Sequence, residues 1–595
     1  MPTPHAPTAT SAAVPTGTES TTDGDDACHT TAAPPSREPR RTDIPVLAVS
    51  GGLLTAFVLA ALIAPTATGD AVNAVFTFVA RWFGPLWQVL LLATFGVALW
   101  LGFSRYGKVR LGGAGARPEY GRFQWVAMIM STLLAGGGVF FAAGEPVQHY
   151  VETPPYYEGV KSGTQQAADA ALSQSFAHWG FLAWAVLGTL ASIVMIRGQE
   201  RGMPLRPRTL LYPLLGERIR HSRLGAAVDI VCVIAVVAGT VGPIGFLGLQ
   251  VSYGLSQVFG ISGGYPVQLG VIVLLTVVAV LSVASGIDRG IQFFSRANIW
   301  LAVALMAVFL VLGSLGFVLD SFLGGLGQYA KDFVPLALNR GDHAWLGSWT
   351  VFFFGWFLGY GPLMSIFVAR ISKGRTVRDL VVSTAIIPPL ATMFWFTVFG
   401  GTGIFLEQQN PGTISGPLKA VGMDAAVISM AERLPMGAVV AVALLLLTIT
   451  FVVTTTDSMS YSIAAAGTKT GEPTRAVRAF WALLMGAAAA VLILVGDGGI
   501  TALQSFIVVT AVPVGFIMLP TLWTAPRVAK EMALEQGIVL REPPVTGPEP
   551  QSSAVPEPSS AVVPEPQSSA APEPSSAVVP EPQSSAVAGP QESQG

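Results

Sequence analysis

The segment Trp349-Thr-Val-Phe-Phe-Phe-Gly355-Trp356-Phe357-Leu-Gly359-Tyr360-Gly361-Pro362-Leu-Met-Ser-Ile-Phe-Val-Ala369-Arg370-Ile-Ser-Lys373-Gly-Arg375-Thr-Val-Arg378-Asp379 decides how the rest of the chain is read. About twenty mostly apolar residues run into a basic loop, the pattern of a membrane span arriving at the cytoplasm. Gly355, Gly359, Gly361 and Pro362 sit inside that span, where a lipid-facing helix would carry Leu and Val. Pro362 removes a backbone donor and crowds the carbonyl four residues earlier. Interrupted backbone at membrane depth is tolerated only inside protein or beside an aqueous cavity. The reading therefore predicts a broken helix turned to the interior. Trp356, Phe357 and Tyr360 crowd the same break, and a cation can lie against such faces.

Composition extends this reading to the whole chain. Of 595 residues, 51% are hydrophobic and 11% charged, and the mean hydropathy is +0.58. Soluble proteins carry about 25% charge, so the class is an all-α integral membrane protein. The net charge of −2 selects no charged partner, and nucleic acid is not expected as one. Cys28 lies in a polar tail and Cys232 inside a span, so no disulfide is expected. The first 40 residues are polar and lack the apolar core of a cleavable signal.

Apolar runs fall near 44–65, 84–103, 122–143, 174–196, 225–258, 267–287, 297–319, 347–369, 381–405, 435–466, 477–495 and 500–524, which predicts twelve spans. With an internal N-terminus and twelve crossings, six of the 33 Lys and Arg residues lie outside: Arg81, Lys161, Lys331, Arg340, Lys419 and Arg433. All the others fall on the cytoplasmic side, so both termini are expected there, in a multi-pass cell-membrane protein. Residues 1–43 read as a disordered tail, 44–525 as a twelve-helix membrane domain, and 526–595 as a low-complexity tail of Pro-Glu-Pro and Ser-Ser-Ala repeats. Residues 320–346 mix Asp320, Lys331, Asp332, Arg340 and Asp342 with Phe and Leu, as an external amphipathic helix would.

A second glycine-rich break, Gly136-Gly137-Gly138, lies in the third span, which ends in Gly144-Glu145-Pro146. Spans three and eight stand five apart. If spans three to seven (about 121–319) and eight to twelve (about 347–525) form two halves, each half opens with its Gly-interrupted helix, and the second half is inverted. Paired breaks of this kind point to a mid-membrane transport site; close helix packing through small residues is the alternative. The tenth span carries Phe451-Val-Val-Thr454-Thr455-Thr456-Asp457-Ser458. Hydroxyls beside a carboxylate inside a span face a cavity, a partner or an ion, or bond back to their own helix. Oxygen donors of this type suit a hard cation, which assigns Thr454 and Thr455 to sodium; Asp457 is expected to clamp a neighbouring helix. Trp179 and Trp184 on the fourth span lie about 140° apart around a helix, on one broad face. With Trp356, Phe357 and Tyr360 they form a candidate aromatic box. Asp229 is expected to cap the fifth span or pair with a cytoplasmic base. His149, His178, His221 and His343 show no metal-ligand spacing, and no nucleotide loop or catalytic triad is present, so neither enzyme activity nor an organic cofactor is expected.

Residues Trp349 to Asp379 resemble the betaine/choline/carnitine transporter family, whose eighth span runs from an aromatic-rich helix into Ala-Arg-Ile-Ser-Arg/Lys-Gly-Arg-Thr-Val-Arg. Ala369 to Arg378 match this nearly letter for letter. Trp395 to Gly401, Glu145-Pro146, His178-Trp179 and Thr454 to Ser458 agree as well, and the resemblance covers roughly residues 40–525. It implies a five-plus-five inverted repeat preceded by two helices, a homotrimer in the lipid bilayer, and sodium-coupled uptake of trimethylammonium-type solutes. Glycine betaine, choline or carnitine are the expected solutes. The alternatives are an ion-independent exchanger or a carrier of ectoine or dimethylsulfoniopropionate. In sodium-coupled betaine members the box has two tryptophans and a tyrosine on the fourth span and a tryptophan on the eighth. The tryptophans correspond to Trp179 and Trp184; Leu187 stands in the tyrosine's place and Phe357 in that of the eighth-span tryptophan. Trp356 and Tyr360 match aromatics on the family's inward path, and Gly136 and Gly137 its third-span break. One family sodium site maps to Ser131, Leu134, Phe451, Thr454 and Thr455. The second maps to Val236, Thr240 and Leu363, where one hydroxyl and a ring are missing. The C-terminal tail lacks the basic helix of osmosensing members, so osmotic activation through it is not expected.

Overall fold

The computed structural model describes residues 41–131, 137–261, 263–285, 288–470 and 472–538. Gly136 and Leu134 lie outside the described residues, as do the tails before 41 and after 538 and the side chain of Ser131. Among the described residues ten helices are long and apolar enough to cross a membrane. Arg296–Leu312 and Leu315–Ala337, which meet at 102°, make an eleventh if taken as one broken span. The third predicted span falls on the helices Arg122–Ser131 and Gly137–Val151, which flank residues outside the described set.

Burial sorts the spans into centre and perimeter. The apolar windows of Gln165–Glu200, His343–Ile371 and Arg223–Phe259 are 94%, 89% and 83% buried, against 33% for Ile44–Ile63 and Tyr265–Ser285. The perimeter helices carry bulky aliphatics toward lipid, such as Leu53, Leu59, Leu274 and Leu281. The central ones carry the glycines, histidines and tryptophans, because small residues let backbones approach and polar ones need partners.

The expected break in the eighth span is not formed. Phe352–Ile371 is one continuous α-helix with Pro362 inside it. The irregularity sits about three turns before Pro362, as a π-helical turn over Gly347–Val351. Pro362 is tolerated because its surroundings are protein: Ser365 Oγ donates to the Pro362 carbonyl at 2.7 Å, and Ser192 Oγ donates to the Ser365 carbonyl at 3.2 Å. The glycines serve close packing instead. A Cβ at Gly355 would stand 2.6 Å from the Trp87 ring, and one at Gly361 3.0 Å from Met518 Cε. The fourth span is the broken one, divided into Gln165–Trp179, Phe181–Gly188 and Leu190–Glu200. Gly180 makes the first break; a Cβ there would meet the Phe176 carbonyl oxygen at 2.3 Å. The ninth span is divided likewise at Ile386, just before Pro388 and Pro389, into Val377–Ala385 and Ile387–Phe396.

In the region expected to be externally amphipathic, the helix runs Leu315–Ala337. It buries Ser321, Gly325, Tyr329 and Asp332 and exposes Leu315, Leu319, Leu323 and Val334. Tyr157 Oη donates to Asp332 at 3.1 Å, and Gly325 admits Leu172 of the Gln165–Trp179 helix. Beyond residue 525, where a tail was expected, the helix Thr521–Glu535 continues and buries Val528, Ala529 and Met532. Arg197 Nη1 donates to Glu535 at 2.8 Å, and the Gln536 amide bonds both backbone groups of Arg110 at 2.8 Å. These contacts hold the segment in place where composition alone suggested a linker.

The basic-loop end carries a buried ion network. Arg206 donates to Asp43 at 2.7 Å, and Arg208 bonds Asp229 through its backbone N–H at 2.9 Å and through Nε at 2.8 Å. Lys469 lies 3.7 Å from Asp43. A two-stranded antiparallel ladder, Arg41–Thr42 with Thr468–Thr470, brings the two ends of the network together. Asp229 therefore pairs with a base, one of the two roles expected for it.

Candidate functional site

The rings meet where the fourth span breaks. Trp179 ends its helix at Gly180, so its indole projects toward the helix Phe352–Ile371. It meets Phe357 edge to face at 5.3 Å between centroids and Trp356 at 5.8 Å. Trp356 and Phe357 lie nearly parallel at 6.0 Å, and Phe353 and Phe396 complete the surround at 5.2 and 5.0 Å from Trp179. These are preferred aromatic geometries, and all five residues are buried. Gly137 is the floor of the cluster: a Cβ there would stand 2.3 Å from Trp356 Cη2 and 2.8 Å from Trp179 Cη2. Gly239 plays the same part behind Tyr360, whose ring a Cβ would approach to 2.9 Å. Trp356 Nε1 donates to the Gly239 carbonyl at 3.0 Å, which fixes the ring.

Tyr360 and Trp184 stand differently from the rest. Tyr360 Oη shares a 3.1 Å hydrogen bond with Thr240 Oγ1, which also donates to the Val236 carbonyl at 2.8 Å. The Thr240 hydroxyl is thus engaged by protein. Trp184 donates to Thr392 Oγ1 at 3.0 Å, and among the described residues its ring touches none of the others. The break at Gly180 lies between the two tryptophans, so they do not share the continuous helical face that their spacing implied.

Behind Trp179 is a polar centre with no counterpart in the spacing argument. Trp179 Nε1 donates to Glu145 Oε2 at 2.9 Å, and His178 Nδ1 lies 2.6 Å from Glu145 Oε1. His178 Nε2 is 3.0 Å from both Gln174 Nε2 and Thr350 Oγ1, and His149 Nε2 is 3.6 Å from Glu145 Oε1. Trp349 packs over both imidazoles. Glu145, His149 and His178, which showed no metal-ligand spacing in sequence, bring ligand atoms within 4.8 Å of one another. The Glu145–His178 separation is a hydrogen bond, shorter than the edge of about 3.3 Å that a tetrahedral zinc site would need. The helix Gly137–Val151 is anchored from the ninth span as well. Trp395 Nε1 donates to the Gly138 carbonyl at 3.0 Å, and a Cβ at Gly400 would meet Pro146 at 2.4 Å.

On the helix Gly437–Ala466, Thr454 Oγ1 donates to the Thr450 carbonyl at 2.8 Å and accepts from Asn298 Nδ2 at 3.2 Å. Thr456 bonds the Val452 carbonyl at 2.8 Å. Thr455 Oγ1 is buried and has no hydrogen-bond partner among the described residues. Phe451, half-buried on the same helix, packs at the edge of the core. Asp457 pairs with Arg478 Nη2 at 3.0 Å, the clamp to a neighbouring helix expected of it. The Ser131 side chain and Leu134 are outside the description, so the third-span half of this candidate sodium site carries no geometry.

The model of the betaine/carnitine/choline family of transporters matches residues 45–534. The chain belongs to this transporter family. A glycine betaine transporter of Vibrio parahaemolyticus is 48% identical over 496 residues, covering 83% of this chain and 92% of that protein. A glycine betaine transporter of Bacillus subtilis is 31% identical over 476 residues, covering 78% and 90%. An ectoine/hydroxyectoine transporter of Virgibacillus pantothenticus is 29% identical over 485 residues, covering 80% and 94%. The chain is therefore a carrier of small solutes across a membrane and not an enzyme. Sequence reasoning found Trp179, Trp356, Phe357 and Gly137, which the fold brings together. It missed Glu145, His149 and Thr350 as partners of the His178-Trp179 pair. The available signal was Glu145 to His149, four residues apart on one helix face.

Proposed function

We propose that this transporter takes up a small quaternary-ammonium or zwitterionic compatible solute by alternating access, with glycine betaine the first expected solute. The single observation that carries the reading is the contact of Trp179 with both Trp356 and Phe357 deep in the bundle. Such faces attract a methylated ammonium, which is too large and too weakly hydrated to need hydrogen bonds. Two relatives named for glycine betaine support the choice of solute. Choline, carnitine and ectoine are the next candidates.

Coupling is assigned to one sodium ion at Thr454 and Thr455, with Phe451, Ser131 and Leu134 completing the site. The free hydroxyl of Thr455 supports this. A second sodium ion at Thr240 has less support, because Val236 and Leu363 stand where that set would supply a second hydroxyl and a ring. The wider architecture in this reading is twelve spans in two inverted five-helix halves after a leading pair, assembled as a homotrimer in the cell membrane with both termini cytoplasmic.

Uptake of labelled glycine betaine, choline, carnitine and ectoine into proteoliposomes, with and without an inward sodium gradient, tests the proposal. Accumulation of one solute only with the gradient supports it. Equal uptake without sodium, together with counterflow from preloaded vesicles, would replace coupling by exchange.

A further inference from the structure

We propose that Glu145 sets the preference of the aromatic box for a positively charged head group, acting through Trp179. The inference rests on the box being the solute site, as proposed above, and adds the residue that makes it select charge. Glu145 is fully buried, and among the described residues no Lys or Arg lies within ion-pair distance of it. His178 Nε2 lies 3.0 Å from both the Gln174 side-chain amide and Thr350 Oγ1, and each can donate to it. His178 Nε2 is then the acceptor, and the ring proton sits on Nδ1. Nδ1–H donates to Glu145 Oε1 at 2.6 Å and Trp179 Nε1–H donates to Oε2 at 2.9 Å. In that arrangement both carboxylate oxygens accept N–H donors, and among the described residues no Lys or Arg stands beside them.

A buried carboxylate without a paired cation is costly and holds its proton, and a cation brought close favours its charged form. A solute cation in the box would lie one indole ring away and supply the missing charge. The same hydrogen bond acts on the ring itself. Donation from Nε1–H to a carboxylate pushes electron density into the indole, and the ring face that attracts a cation becomes more negative. Glu145 is thus a positioning residue with an electrostatic effect. It holds Trp179 edge-on to Phe357 and charges the face that Trp179 presents. Its removal should weaken cationic and uncharged head groups unequally.

The test compares glycine betaine with 3,3-dimethylbutanoate, which has the same shape with a quaternary carbon in place of the nitrogen. Affinities are measured by tryptophan fluorescence on the purified full chain, and the readout is their ratio in each variant. Partial loss of folded protein cancels in that ratio. Glu145→Gln keeps an acceptor for Trp179 and is expected to lower the betaine preference about tenfold, the scale of one charge acting across a ring at intermediate dielectric. Glu145→Asp keeps the charge and is expected to retain the preference, even if both affinities fall. An unchanged ratio in Glu145→Gln, with or without a common loss of affinity, would reduce Glu145 to a scaffold. Should Glu145→Gln yield no folded protein, Trp179→Phe severs the link while keeping a ring. It must lower the ratio for the proposal to survive. Failure of the parent protein to bind betaine at all would instead overturn the proposed solute and would be seen before any variant is made.

Discussion

Replacing Gly137 by alanine adds one methyl group at the most crowded point of the box. The new Cβ would stand 2.3 Å from Trp356 Cη2 and 2.8 Å from Trp179 Cη2. Carbon atoms pack at about 3.5–4.0 Å, so the nearer ring must retreat by about 1 Å. Neither ring moves freely: Trp356 is bonded to the Gly239 carbonyl at 3.0 Å and Trp179 to Glu145 at 2.9 Å. Forcing a methyl group into such a core costs about 1–3 kcal/mol, roughly a 5- to 150-fold change in an equilibrium constant. Alanine recovers at most about 1 kcal/mol of helix propensity, and less at the first residue of the helix Gly137–Val151. Gly52→Ala is the control, because nothing lies within 4 Å of its Cβ position. The assays are the thermal midpoint in detergent and the half-saturation concentration for glycine betaine uptake. Gly137→Ala should lower the first and raise the second, while Gly52→Ala leaves both at or above the parent's performance. Parent-like values of both in Gly137→Ala would refute the packing argument.

Three further outcomes are expected. Burial pushes the Asp424 carboxyl up from 3.8 to about 6. The folded state therefore holds the proton more tightly than the unfolded chain, and the stability this contributes is full below 3.8 and lost as pH rises through about 6. The loss is on the order of 3 kcal/mol. Asp424→Asn should raise the thermal midpoint at neutral pH and flatten its fall across this window; an unaltered pH profile counts against it. Asp43→Asn leaves Arg206 with Asp229 at 3.6 Å as its remaining acid. It should cost somewhat less than the about 3–5 kcal/mol of breaking a fully buried pair, read as a lower thermal midpoint, and a parent-like midpoint would mean the network is solvated. Thr455→Ala should raise the sodium concentration for half-maximal uptake by about tenfold, the worth of a charge-assisted ligand. Thr456→Val, which removes a hydroxyl already bonded to the Val452 carbonyl, should not, and equal shifts in both would misplace the ion.

The membrane class was legible because charge is scarce and apolar runs have the length of a bilayer. The position of the break was not. Gly359, Gly361 and Pro362 look like a rupture in sequence, yet that helix continues because Ser365, Ser192 and Met518 accommodate it. The break appears instead at Gly180, a lone glycine after His178-Trp179 with no proline to announce it. Local composition reports the cost of a bend, and the neighbouring helices decide where it is taken. The box was half readable. Ring residues at short spacing named Trp179, Trp356 and Phe357, but the spacing of Trp184 misled, since it assumed one unbroken helix. The Glu145 centre was announced only by Glu145 and His149, four residues apart, because its other partners come from two further segments of the chain.

Trp179 and Phe357 already cover one another, so a solute entering between them exchanges one hidden surface for another. Heat capacity on binding falls in proportion to the apolar surface newly withdrawn from water. Calorimetry over a range of temperatures should therefore find a slope set by the solute's own methyl surface alone, shallower than that of a ligand filling an open greasy cleft.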